Sequence, residues 1–249
     1  MYANKAALPS QFAICEPATA NPVLAVPEQI QGTCFFPGGT GLWHGQAETI
    51  PEFPVGGVMV LGHDFHSVLG YERSRLGGSE NLRSPTWRQF VEFLARVPIA
   101  LEHCFFTNAY MGLRAGAGTT GKFPGAASAQ FVQACREFLL AQIAVQQPAL
   151  ILALGNYVPA FLAPLSPQLA DWSRGNFRDR DRRDIAIRSG ACFTGSPLPA
   201  CVVVSLLHPS FRPSNVRHRR WKELSSDDAE VALVREAWRL AGVAKTRRA

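Results

Sequence analysis

The chain has 249 residues, 47% of them apolar, and a formal net charge of +6. That length supports one large domain, the apolar fraction excludes a disordered chain, and the positive balance favours an anionic partner such as nucleic acid. No apolar run approaches the roughly 20 residues of a membrane span, and the first residues lack a secretory pattern, so a cytoplasmic protein without membrane contact is expected.

Residues 1–54 are rich in Pro and Gly (Pro17, Pro22, Pro27, Pro37, Gly38, Gly39, Gly41) and carry little periodicity. They are expected to form an irregular extension packed on a domain of residues 55–249. In that domain Val58–Leu61 reads as a first strand. Ser84-Pro85 then opens a helix with Phe90, Phe93, Leu94 and Val97 on one face and Pro98 as its stop. A second strand follows at Cys104–Phe106, and Phe131, Cys135, Phe138, Leu139 and Ile143 repeat at helical spacing before Pro148. Leu150–Leu154 is a third strand, the mixed-charge run 174–188 reads as a solvated loop, and Val202–Leu207 is a fourth strand. Val231, Val234, Trp238 and Ala241 make a last helical stripe, closed by Gly242.

The strand runs are continuous rather than alternating, as in a parallel sheet buried on both faces. Strands alternating with helices predict an α/β fold: a three-layer α/β/α sandwich around a central, mainly parallel four-stranded sheet. The six cysteines form no C-x-x-C pair and lie near no histidine at zinc-finger spacing, so they read as reduced structural thiols with no metal.

Parallel α/β sheets bind ligands beyond the carboxyl ends of their strands. Those ends carry Gly62-His63-Asp64-Phe65-His66, Thr107-Asn108-Ala109-Tyr110, Gly155-Asn156-Tyr157 and His208-Pro209-Ser210-Phe211-Arg212. Three of them offer an acid, an amide and an imidazole. Each also has a plainer use: Asp as a helix N-cap, Thr-Asn and His-Pro-Ser as turns. After His208 the segment from Arg212 to Lys222 holds Arg212, Arg217, Arg219, Arg220, Lys222 and His218 with no acid, a pattern suited to phosphates.

The strand running into Gly62-x-Asp64, the strand ending in Asn108, and His208-Pro209-Ser210 together resemble the ordered motifs of the uracil-DNA glycosylase superfamily, over roughly residues 55 to 222. The resemblance implies hydrolysis of the N-glycosidic bond of a flipped-out base in DNA, leaving an abasic site. Asp64 would orient water and stabilise the oxocarbenium-like sugar, and His208 would hydrogen-bond the departing base. Asn108 would read the base edge, with His63, Phe65 and His66 around it. Ser210, Arg212, Arg217, Arg219 and Arg220 would hold DNA, with Arg212 at the wedge position. Phe65, Phe123 and Tyr110 are candidates for stacking on the base, and the glycine-bearing segment Val68–Leu82 would shape the pocket mouth.

His66 stands where one branch of the family has a tyrosine that excludes the thymine methyl. Uracil is the default substrate, and a 5-modified pyrimidine is the alternative. The iron–sulfur cysteine spacing of other branches is missing, so no cofactor is expected, and DNA, single- or double-stranded, is the expected partner with no obligate protein partner. Three other readings stand beside this one. The first is a non-catalytic DNA-binding member of the same fold. The second is a P-loop-like NTPase through residues 116–123, against which Phe123 occupies the magnesium-holding Ser/Thr position. The third is metal hydrolysis through His63, Asp64 and His66, which lacks a partner cluster.

Overall fold

The computed structural model describes residues 2–4, 23–24, 38–39, 52–77, 81–115, 117–194 and 200–242. The expected extension 1–54 lies outside the described residues, apart from the short strands Tyr2–Asn4, Val23–Leu24, Gly38–Gly39 and Glu52–Pro54.

The elements that position the site are β1 (Val58–Asp64), α1 (Val68–Gly77), α2 (Pro85–Leu94), β2 (Cys104–Tyr110) and α3 (Ala129–Gln146). They continue with β3 (Leu150–Leu154), α4 (Tyr157–Leu162), α5 (Phe177–Arg182), β4 (Ile187–Ala191), β5 (Cys201–Leu206) and α6 (Ser226–Ala241). Four strands run parallel in the order β2-β1-β3-β5. Val60 of β1, for example, lies level with Phe106 on one side and Leu152 on the other. The antiparallel β4 extends one edge, and Gly38–Gly39 pairs antiparallel with Phe105–Phe106 at the other.

Side chains of successive residues in a strand point to opposite faces, and here both faces are covered. Val58 and Val60, with Leu150, Leu152, Val202 and Val204, pack against Phe90, Phe93 and Leu94 of α2 and Val231, Leu233 and Val234 of α6. Met59 and Leu61, with Phe105, Ile151 and Val203, pack against Phe131, Cys135, Phe138 and Leu139 of α3 and Val158, Phe161 and Leu162 of α4. This is the α/β/α sandwich that the continuous apolar runs imply. The caps match as well: the Ser84 side chain accepts from the Trp87 N–H, and Gly242 ends α6 at φ +67°.

The run 174–188 departs from the solvated loop expected of it. Its middle forms α5, whose N-cap Asn176 and N3 residue Asp179 close a capping box. Arg180 turns inward, 1% exposed, and donates to Ser205 Oγ, the Gly175 carbonyl and Asn156 Oδ1. The edge strand β4 follows, half-exposed and polar, which is why it carries no apolar run. Among the described residues no helix is long and apolar enough to cross a membrane.

Glu230 of α6 ties that helix to the end of β5. Its carboxylate accepts the Leu207 N–H at 2.8 Å and Arg212 Nε at 2.9 Å, and it is 1% exposed. Removing one partner of a buried ion pair strands the other. Glu230→Ala is therefore expected to lower unfolding free energy by about 3 kcal/mol and Glu230→Gln by less. Urea midpoints measure this, and a loss below about 1 kcal/mol for Glu230→Ala would mean that the pair is not what anchors α6.

Candidate active site

Asp64 is the last residue of β1, and its carboxylate is almost fully enclosed. Arg114 Nη2 donates to Oδ2 at 2.8 Å and Arg114 Nε lies 3.2 Å from the same oxygen. His63 Nδ1 is 2.9 Å from Oδ2 as well. Burial alone would push this acid up, but the hydrogen bonds and positive charge of His63 and Arg114 overcome it and hold it at about 2. Oδ1 is the less engaged oxygen, taking the His66 N–H at 3.0 Å and a long 3.3 Å contact from Arg114 Nε. Asp64 is thus an ionised carboxylate with one oxygen partly free.

Arg114 escaped the sequence reading. It is 5% exposed, lies between buried Leu113 and the glycine-rich loop, and also binds the carbonyls of Thr120, Gly121 and Lys122. Carbonyls converging on a guanidinium are the reverse of a phosphate cradle, in which N–H groups converge on an anion. The glycine-rich loop is pinned by this residue. A lone arginine in the apolar stretch Met111–Leu113 was the available signal, since a cation there requires a buried partner.

Asn108 lies within β2 rather than after it, level with Gly62 of β1. A Cβ on Gly62 would come within 2.2 Å of Asn108 Oδ1. The glycine of the first motif therefore makes room for the amide of the second. His208 follows β5, and its Cβ lies 3.3 Å from where a side chain on Gly155 would begin. Burial drives its imidazole down to about 4, despite an opposing pull from the Asp64 charge, so it is neutral at pH 7. Ser210 Oγ lies 2.8 Å from His208 Nδ1. If the hydroxyl donates, the ring proton sits on Nε2, free for a substrate.

His63 stacks on Tyr157 at 4.8 Å between ring centroids and meets Tyr110 edge-on at 5.4 Å. Its Nε2 is buried and without a hydrogen-bond partner among the described residues. Tyr157, 44% exposed, lies in a strand-end segment singled out in the sequence but is given no role there. The Asn156 side chain beside it serves the fold, accepting the Phe177 N–H and Arg180 Nη2.

Other expected residues lie elsewhere in the structure. Phe65 and Phe123 are 4% and 1% exposed and belong to the core, with Phe123 stacked on Tyr110 at 5.0 Å. The His66 backbone is held at φ +78° between Asp64 Oδ1 and the Arg114 N–H, and its ring bonds Ser67 Oγ. That ring lies over Gly70, where a Cβ would come within 2.1 Å of Nδ1. Arg212 is not free to wedge into DNA: it is bound to Glu230 and Asp227 and lies 4.6 Å over the Phe93 ring. Arg219 is fully buried, donating to the Ser205 carbonyl and pairing with Asp181. Both arginines neutralise buried acids, which a charge run in a sequence does not reveal. Arg217 and Arg220 remain exposed, and so does Phe211, 48% exposed and 5.9 Å from His208 between ring centroids. Ser210 is turned to His208 rather than held open for a phosphate. Among the described residues no group of three metal-ligating side chains is present.

No curated protein matches the chain. The family described as the Uracil DNA glycosylase superfamily matches residues 79–235, a stretch that contains Asn108 and His208 and begins beyond Asp64. With that match over well more than half of the 249 residues, and the sheet and strand ends arranged as described, the chain belongs to the uracil DNA glycosylase superfamily.

Proposed function

We propose that the protein hydrolyses the N-glycosidic bond between deoxyribose and a base flipped out of DNA, releasing the base and leaving an abasic site. The observation that carries this reading is the pairing of an ionised Asp64, held at about 2, with a neutral buried His208 at the same end of the sheet, beyond strands that flank β3. In the reaction the C1′–N bond breaks and its electron pair leaves with the base. Water then adds its oxygen to C1′, and its proton ends on the departed base.

A carboxylate held this low is a weak base, so its main contribution is negative charge beside the developing sugar cation. Oδ1 remains to orient the water. His208 contributes an N–H where negative charge gathers on the leaving base without bringing a full positive charge of its own. Asn108 offers one donor and one acceptor to the base edge, and the unpartnered His63 Nε2 supplies a further polar contact. With His66, its ring packed on Gly70, in place of the tyrosine that excludes the thymine methyl, uracil and 5-modified pyrimidines are both candidate substrates. Phe211, exposed directly after Pro209-Ser210, is placed to fill the gap in the base stack in place of Arg212.

Asp64→Asn is expected to cut excision by about 10³-fold or more while leaving DNA affinity within about threefold. Oligonucleotides carrying uracil or a 5-modified cytosine, assayed for alkali-labile sites with chelator present, measure this. Equal excision by wild type and variant would remove Asp64 from the chemistry, and no excision on any substrate would favour the non-catalytic binder.

Phe211→Ala is expected to slow excision from duplex DNA about tenfold to a hundredfold and from single strands by less than about threefold, since only a duplex resists unstacking. Equal losses on both substrates would rule out the wedge.

His208 also sets a pH dependence of stability. Its folded value, about 4, lies below the ordinary 6.5, so between these values the unfolded chain binds the extra proton. Stability is full above pH 6.5 and falls as pH drops toward 4, by about 3 kcal/mol more than in His208→Asn. Asp64 acts in a separate window below 3.8. Parallel stability curves for the two proteins between pH 6.5 and 4 would refute the neutral histidine.

A further inference from the structure

Two basic segments far apart in the chain meet across an open groove of about 430 Å³. Asn176, Arg178 and Arg182 line it from the α5 side, and His218 and Arg220 from the segment that follows His208, with Asp181 at the wall between them. The groove is anchored at the active-site end of the sheet. The Phe177 N–H binds Asn156, two residues beyond β3, and Arg219 binds the carbonyl of Ser205, three residues before His208.

The acids nearby are already committed. Asp181 is paired with buried Arg219 and accepts the Arg220 N–H at 3.0 Å. Asp179 caps α5 and pairs with Arg182, which stays 76% exposed. Among the described residues no carboxylate pairs with Arg178, Arg217 or Arg220. Arg220 is pre-oriented by the carbonyls of Arg217 and Arg219, at 3.0 and 2.7 Å. Desolvation first, and then the charges of Arg178, Arg217 and Arg220, push the His218 imidazole down. A groove that is open, cationic and short of counter-charge suits a chain of phosphates, because planar guanidinium groups match phosphate oxygens.

We propose that this groove is a second DNA-binding site, in which Arg178, Arg182 and Arg220 hold backbone phosphates of the strand leading away from the flipped nucleotide. The inference rests on the reading of the protein as one that acts on DNA. Neither basic segment does this alone, since the 212–222 run has two of its arginines buried in ion pairs and the α5 arginines stand among aspartates.

Fluorescence anisotropy of a labelled single-stranded oligonucleotide, titrated at increasing salt, tests the site without any chemistry. The variant is Arg178→Ala/Arg182→Ala/Arg220→Ala, and Arg239→Ala at the far end of α6 is the control. Loss of three phosphate contacts should flatten the slope of log affinity against log salt by about 2 and weaken binding at least about tenfold near 0.1 M salt. The control should match wild type. An unchanged slope and affinity in the triple variant, or a wild type that binds no oligonucleotide, overturns the groove. If wild type binds in this salt-dependent way but excises no base, the groove stands and the proposed reaction falls. Excision with an unchanged slope has the opposite meaning.

Discussion

A guanidinium removed from water costs several kcal/mol unless every donor finds a partner, and Arg114 is 5% exposed. Its partners are the Asp64 carboxylate and the carbonyls of Thr120, Gly121 and Lys122. Meeting that demand joins the end of β1 to a glycine-rich loop more than fifty residues away in sequence. The same contacts fix the Asp64 carboxylate in one orientation and keep it charged, while Asp64 Oδ1 and the Arg114 backbone N–H clamp the His66 backbone in a left-handed conformation that a non-glycine residue adopts only at a cost. The C-terminal end of β1 is organised around satisfying this one charge.

That solution has a chemical consequence. The Arg114 charge and the His63 contact offset part of the field that Asp64 can exert on a developing sugar cation, yet without them a buried carboxylate would drift toward neutrality. The structure keeps the acid ionised and leaves Oδ1 only lightly engaged. At His208 burial outweighs the pull of the Asp64 charge and yields the opposite state, a neutral ring. Two titratable groups at the same end of the sheet, on the strands that flank β3, are driven to different charge states by what surrounds them, and the pairing is what the proposed chemistry needs.

The arginines after His208 show how the same residue type divides by environment. Arg212 and Arg219 compensate Glu230 and Asp181 inside the fold, while Arg217 and Arg220 face water. The buried pair holds α6 and α5 against the end of β5, so the exposed pair, and the α5 arginines across from it, have a rigid base.

The sequence by itself determined the layer architecture, because strands covered on both faces must be continuously apolar and covering helices must carry a 3.6-residue stripe. It also determined the polar ends of the strands: Asp64, Asn108 and His208 lie at the C-terminal ends of parallel strands of one sheet or directly beyond them, where parallel α/β sheets bind ligands. The edge strand β4 and helix α5 were not legible, since half-exposed polar elements produce no such pattern. Only the tertiary structure decided which charges are structural and which are available. A run of arginines looks uniform in sequence, but burial and pairing are set by acids such as Glu230 and Asp181 that arrive from other elements. The position of Asn108 over Gly62, the reach of Arg114 to Asp64 and the meeting of two basic segments in one groove likewise depend on contacts between residues distant in the chain, to which local spacing carries no signal.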